Sequence, residues 1–153
     1  MAPYTSLLAK DAPLALLFRG AIATQAEYIS TAPYCNAFQP PKDSHIPPLL
    51  DHQTDRVHPI YDPTDVFECK YELDSLASFL KLSRLYYEKT GDLSFITPTW
   101  LRAITLIIGV LEQQSQPTFD PVSGQMKGNQ YSFQRNTNIG TETLPLGISS
   151  LEI

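Results

Sequence analysis

An all-α fold of helical hairpins joined by long irregular loops is what this sequence predicts, on three observations. Apolar residues recur at helical spacing in three separate segments. The third of these is apolar around nearly its whole circumference. The stretch between the first two holds seven of the chain's 13 prolines, which rules out a long helix or a central strand there.

The first helix is expected over about 12–30. Asp11 and Pro13 supply a cap and a first turn, and Leu14, Leu17, Phe18, Ala21 and Ile22 follow at i, i+3, i+4, i+7 and i+8. The second is expected over about 72–89, stopped by Thr90-Gly91-Asp92. The third is expected over about 98–114, opened by Pro98. From Trp100 to Leu111 its one charged side chain is Arg102. A helix apolar all round is buried on several sides, so the hairpin of helices two and three wants cover on its outer surfaces as well. The loop over 31–68 carries Tyr34, Phe38, Ile46, Leu49, Leu50, Ile60 and Tyr61, a content that predicts an ordered, packed loop. The tail over 115–153 reads as irregular, with a short strand at Tyr131-Ser132-Phe133-Gln134-Arg135.

Composition narrows the function. With 153 residues, 42% hydrophobic and 18% charged, the chain suits one folded unit with a core of its own. A net charge of −5 and 11 scattered Lys and Arg give no basic stripe to displace counterions from phosphates, so nucleic acid is not the expected partner. The longest apolar run, near Ile104 to Leu111, falls far short of the roughly 20 residues that cross a bilayer. No signal peptide is visible. Cys35 and Cys69 could form one disulfide, but the reading favoured by their isolation is two partly buried thiols.

Few motifs carry chemistry. His45, His52 and His58 lie among Asp43, Asp51, Asp55 and Asp62, yet their spacing matches no compact ligand pattern, so solvated polarity is expected and not a metal site. No nucleophile elbow, Walker loop or dinucleotide fingerprint occurs. More pointed is FECKYELDSLASFL, Phe67 to Leu80, where Glu68, Glu72 and Asp74 lead into an apolar helix. Negative charge in a first turn is favoured by the helix dipole, by about 0.3–1 kcal/mol. That accounts for one carboxylate or two. Asp74, between Leu73 and Leu76, either caps the helix or faces a cavity, where desolvation would suit a general acid. Spacing alone favours the cap.

The string KYELDSL, with a following helix that ends YYEKTGD and another opened by PTW, resembles glycoside hydrolase family 125. GAIATQAEYIS with PYCNAFQPP, and TFD with YSFQRNTNIGTETL, resemble further family segments in the same order. The wording PYCNAFQPP and VFECKYELDSLA looks fungal. The resemblance runs from about Leu14 to Leu146 and implies a metal-independent, inverting exo-α-1,6-mannosidase on an (α/α)6 barrel, with no cofactor and a mannose-containing oligosaccharide or glycan as partner. It implies Asp74 as the general acid that protonates the leaving glycosidic oxygen. Glu72 and Asn36 become neighbours of the substrate pocket, and Arg135 and Glu142 line or brace the sugar site. Tyr34, Tyr71 and Trp100 are candidate aromatic faces for the mannose ring. In an inverting enzyme two carboxyls stand roughly 6.5–9.5 Å apart with the attacking water between.

The sequence also departs from that family. Twelve barrel helices do not fit in this length. The family's early WLRDS segment and the region after TETL, where its general base lies, have no counterpart here. The expectation is therefore a truncated enzyme that carries the acid, lacks the base and does not turn over substrate. Competing readings are a non-catalytic carbohydrate-binding remnant and a helical interaction module that buries its third helix against a partner.

Overall fold

The structure is a computed structural model that describes residues 12–50, 55–116, 120–125, 131–137 and 140–144. Among the described residues there are three helices, α1 (Ala12–Thr31), α2 (Leu73–Thr90) and α3 (Pro98–Gln114), together with five short strands. The chain is therefore not all-α. It divides into two compact units, one of residues 1–33 and 74–108, the other of residues 34–73 and 109–153.

The three predicted helices form with bounds close to those expected, and the first unit holds α1, α2 from Asp74 and α3 as far as Ile108. α1 buries Phe18, Ile22, Ala26 and Ile29, a narrower stripe than the one read from the sequence, since Leu17 is 67% exposed. Its expected cap, Asp11, lies outside the described residues. α2 buries Leu76, Phe79, Ser83 and Tyr86 along one face. It ends as predicted at Gly91, whose φ of 68° a Cβ would oppose, and whose N–H reaches Tyr87 O at 2.8 Å. Thr97 starts α3 by accepting the Trp100 N–H on its hydroxyl at 3.2 Å, with Pro98 in the first turn. Trp100 donates Nε1–H to the Ser83 hydroxyl at 3.1 Å and packs against Phe79 and Phe95. The turn between α2 and α3 is tied through Asp92. Its carboxylate accepts the Tyr86 hydroxyl at 2.6 Å and the Ser94 N–H at 2.8 Å, and Arg19 of α1 reaches Ser94 Oγ at 3.0 Å. These donors, the Tyr86 hydroxyl foremost, hold the Asp92 carboxyl below the usual range.

α3 is covered on one face, and the outer surface expected to want cover stays exposed. Ala103, Ile107 and Val110 are buried, whereas Leu101, Ile108 and Leu111 remain 54%, 51% and 38% exposed. Burial on several sides, expected from the all-round apolar character, is realised here on one.

The second unit holds the strands. β1 (Ala37–Phe38) pairs antiparallel with β3 (Val66–Glu68), and β2 (Arg56–His58), β4 (Ser132–Thr137) and β5 (Gly140–Leu144) form an antiparallel sheet in the order β2-β4-β5. β4 is the strand anticipated at Tyr131–Arg135. β1, β2 and β3 escape the sequence because prolines and two- or three-residue lengths leave no alternating pattern to detect, and β5, GTETL, holds a single apolar residue. β2 takes an edge position, the one place such a proline-flanked segment can pair.

The described part of the proline-rich loop buries Tyr34 and Val66 near its two ends, whereas its middle is not held by apolar burial. Ile46, Leu49, Leu50 and Ile60 are 59%, 48%, 90% and 91% exposed. Gln39 does the holding: its buried carboxamide accepts the Leu49 N–H at 2.8 Å and donates to Leu49 O and Pro63 O at 3.1 and 3.3 Å. One side chain thus closes two arms of the loop, with most of its hydrogen-bonding capacity used.

Candidate functional site

The second unit is built round three tyrosines. Tyr34 stacks on Tyr131 with ring centroids 5.2 Å apart, and Tyr71 meets both edge-on at 5.8 and 5.7 Å. The Tyr131 hydroxyl accepts the Tyr71 N–H at 2.7 Å and donates to Cys69 O at 3.3 Å, which anchors the strand leading into α2. Tyr34 donates to Gln113 Oε1 at 2.6 Å and accepts from Gln114 Nε2 at 3.3 Å. Tyr34 and Tyr71 are buried, their rings covered by each other and by Tyr131. They are packing residues and present no open face for a sugar ring.

Burial pushes the Tyr131 phenol well above its ordinary value, and that of Tyr34 in the same direction. The neutral forms are what the fold stabilises. Their contribution is whole below the ordinary phenol value of about 10 and is lost as pH rises through the folded value. Stability of this unit should stay level on the alkaline side until about pH 10 and fall beyond it. Phenolate absorbance should show the buried tyrosines ionising together with unfolding, and Tyr131→Phe should flatten the fall.

Against this cluster lies a charged network. Arg135, on β4, donates Nε–H and an Nη2–H to the two oxygens of Asp55, both at 2.7 Å. The same Nη2 donates to Glu68 Oε1 at 2.5 Å. Glu68 Oε2 accepts an Asn36 Nδ2–H at 3.1 Å, and Asn36 Oδ1 accepts the Lys70 N–H at 3.0 Å. The Asp55 side chain is wholly buried, and those of Arg135 and Glu68 are 18% exposed. Hydrogen bonding to Asp55 raises the Arg135 guanidinium above its already high value. It also lies over the Phe133 ring, 5.2 Å from the centroid. Directly beside the network, Cys35 and Cys69 form a disulfide. The expectation of two separate thiols is therefore corrected, and the reason is topological. β1 pairs with β3, so residues far apart in sequence meet, which a count of two cysteines cannot reveal.

Of the residues singled out in the sequence, Asn36 and Arg135 are brought into this one network through Glu68. Glu142 stands opposite Arg135 in the β4–β5 register, and its side chain lies outside the described residues. Glu72 is half-buried immediately before α2. Asp74 belongs to the first unit, exposed in the first turn of α2. Among the described residues no hydrogen bond or ion pair engages its carboxylate, so the capping role favoured by spacing is not the one observed. Asp55 and the bridging position of Glu68 went unrecognised. Arg135 was the signal that could have found them, because a guanidinium between the aromatic Phe133 and the expected sugar site wants carboxylate partners.

Among the described residues no three His, Cys, Asp or Glu side chains gather into a metal-holding group, and no helix is long and apolar enough to cross a membrane. His52 and Asp51 lie outside the described residues.

Comparison with known proteins supplies the wider frame. The chain is 58% identical over 144 residues to the meiotically up-regulated gene 157 protein of Schizosaccharomyces pombe, a match that covers 94% of this chain and 28% of that one. In structure it resembles a metal-independent alpha-mannosidase from Streptococcus pneumoniae, solved as a non-productive substrate complex with alpha-1,6-mannobiose. The TM-score is 0.68 at 25% identity, over 89% of this chain and 28% of the other. The chain thus spans little more than a quarter of the length of either relative. The model of the metal-independent alpha-mannosidases matches residues 1–150, and the chain belongs to that family, glycoside hydrolase family 125.

Proposed function

We propose that this chain carries the general-acid side of an inverting exo-α-1,6-mannosidase, and that its three helices are part of an (α/α)6 barrel. Asp74 protonates the glycosidic oxygen as the terminal mannose departs. A base carboxylate then lies roughly 6.5–9.5 Å across the site, with the attacking water held between the two groups. That base comes from outside these 153 residues. Glu72 and Asn36 hold the sugar hydroxyls, while Arg135 and Glu142 brace the wall behind them.

The observation that supports this best is the state of Asp74: exposed at the start of α2, with no partner among the described residues. A carboxylate bound to the backbone amides of its own helix is not free to approach a leaving group, and among the described residues Asp74 makes no such bond. The solved relative with alpha-1,6-mannobiose supplies the substrate class.

Incubation with α-1,6-mannobiose tests the reading. The sugar is expected to bind, and Asn36→Ala to weaken the binding, with no release of mannose. Release abolished by Asp74→Asn would overturn the missing base, and absence of binding would overturn the sugar site.

The exposed Leu101, Ile108 and Leu111 of α3 favour a second reading, an interaction module that covers this helix with a partner. Such a module would self-associate or capture a helical partner, and would ignore mannosides.

A further inference from the structure

We infer that Glu68, backed by Asp55 through Arg135, is a positioning residue that fixes the orientation of the Asn36 carboxamide toward the sugar. The inference rests on the proposed reading for its ligand, though not for its geometry. Asn36 sits half-buried at the head of β1, and an unrestrained carboxamide there could present either end outward. Two contacts remove that freedom. Glu68 accepts from Nδ2 at 3.1 Å, and the Lys70 N–H donates to Oδ1 at 3.0 Å. Glu68 takes only a donor and the backbone amide needs only an acceptor, so the turned-over carboxamide would set oxygen against carboxylate and N–H against N–H.

A carboxamide has two N–H donors and two acceptor lone pairs. One of each is committed here, which leaves one N–H donor and one acceptor lone pair of the carboxamide. A sugar hydroxyl both donates and accepts, so it can meet either of them.

Glu68 is itself fixed. Its second oxygen is held by Arg135, and Arg135 is clamped by both oxygens of the buried Asp55. The disulfide links Cys35, next to Asn36, with Cys69, next to Glu68, so the two partners ride on tethered backbone. Neither carboxylate touches the sugar in this arrangement; each acts through Asn36.

The experiment combines Glu68→Gln, Asn36→Ala and the double variant, with two readouts. In amide hydrogen exchange, Glu68→Gln should speed exchange at Lys70 roughly tenfold, the loss of one charge-assisted restraint. The neighbouring Tyr71 N–H, held by the Tyr131 hydroxyl, should not change. In titration with α-1,6-mannobiose each single variant should weaken binding by roughly tenfold, and the double variant should bind no worse than Asn36→Ala alone.

Unchanged Lys70 exchange, equal acceleration at Tyr71, or additive losses in the double variant would each overturn the inference. If the wild-type chain binds no mannobiose, the proposed function fails, and the contrast between Lys70 and Tyr71 decides the positioning role alone. Should Glu68→Gln not fold, Asp55→Asn is expected to shift both readouts the same way, and no shift there would count against the inference equally.

Discussion

Arg135→Met lowers the stability of the strand-bearing unit by about 3–5 kcal/mol, the range for a buried ion network that loses one partner. The size follows from what is left behind, not from the bonds removed. Asp55 has a wholly buried side chain, and both of its oxygens lean on Arg135. Without the guanidinium, that carboxylate and Glu68 would face one another as partly desolvated like charges. Chemical denaturation followed by the resolved ring resonances of Tyr34, Tyr71 and Tyr131, as the tyrosine signal, reads this unit, because all three lie in it. The chain's single tryptophan, Trp100, lies in the other unit and serves as an internal reference. Replacing Asp55 and Arg135 together by apolar residues of matching volume should recover much of the loss, since no charge is then stranded. A single variant that melts like wild type would show that the network adds little.

Loss of the Cys35–Cys69 bond has the next largest effect. The cysteines are 34 residues apart in sequence, and closing a loop of that size restricts the unfolded chain by about 4 kcal/mol in the entropy model. Cys35→Ser with Cys69→Ser, or treatment with reductant, should lower the denaturation midpoint of the tyrosine signal by a corresponding amount. A smaller shift would mean that the loop is already constrained when unfolded. The short pairing of β1 with β3, the three hydrogen bonds of Gln39 and the Asn36–Glu68–Arg135–Asp55 network still hold this loop after reduction, and the effect should be greatest beside the lost bond.

The helices were legible because each depends on local signals. Pro98 with Thr97 starts α3, Gly91 stops α2, and the i, i+3, i+4 recurrence marks the faces. Elements that the sequence does not announce have their deciding partner far away along the chain. β1 and β3 are made by pairing across the proline-rich loop, and β2 by pairing with β4 some 75 residues later (Val57 against Phe133); neither carries a run long enough to announce itself. Leu17 and Ile108 fit an apolar stripe yet stay exposed, because periodicity shows that a face is apolar and cannot supply what covers it.

The same division holds at the site. Asn36 and Arg135 were reached through motif resemblance, but nothing local to either could show that Glu68 joins them or that Asp55 stands behind. Tyr34 and Tyr71 looked like sugar platforms because aromatic rings serve both purposes, and their mutual packing with Tyr131 settles which one they serve. For Asp74, spacing favoured a cap and the structure leaves the carboxylate exposed.

Chemical-shift mapping of the isotopically labelled chain with α-1,6-mannobiose bears on the proposed sugar site most directly. Resonances of Asn36, Glu72 and Asp74 are expected to move together and to saturate with a common affinity, while an unrelated disaccharide leaves them still. No movement at these three residues, or movement confined to Leu101, Ile108 and Leu111 of α3, would contradict it.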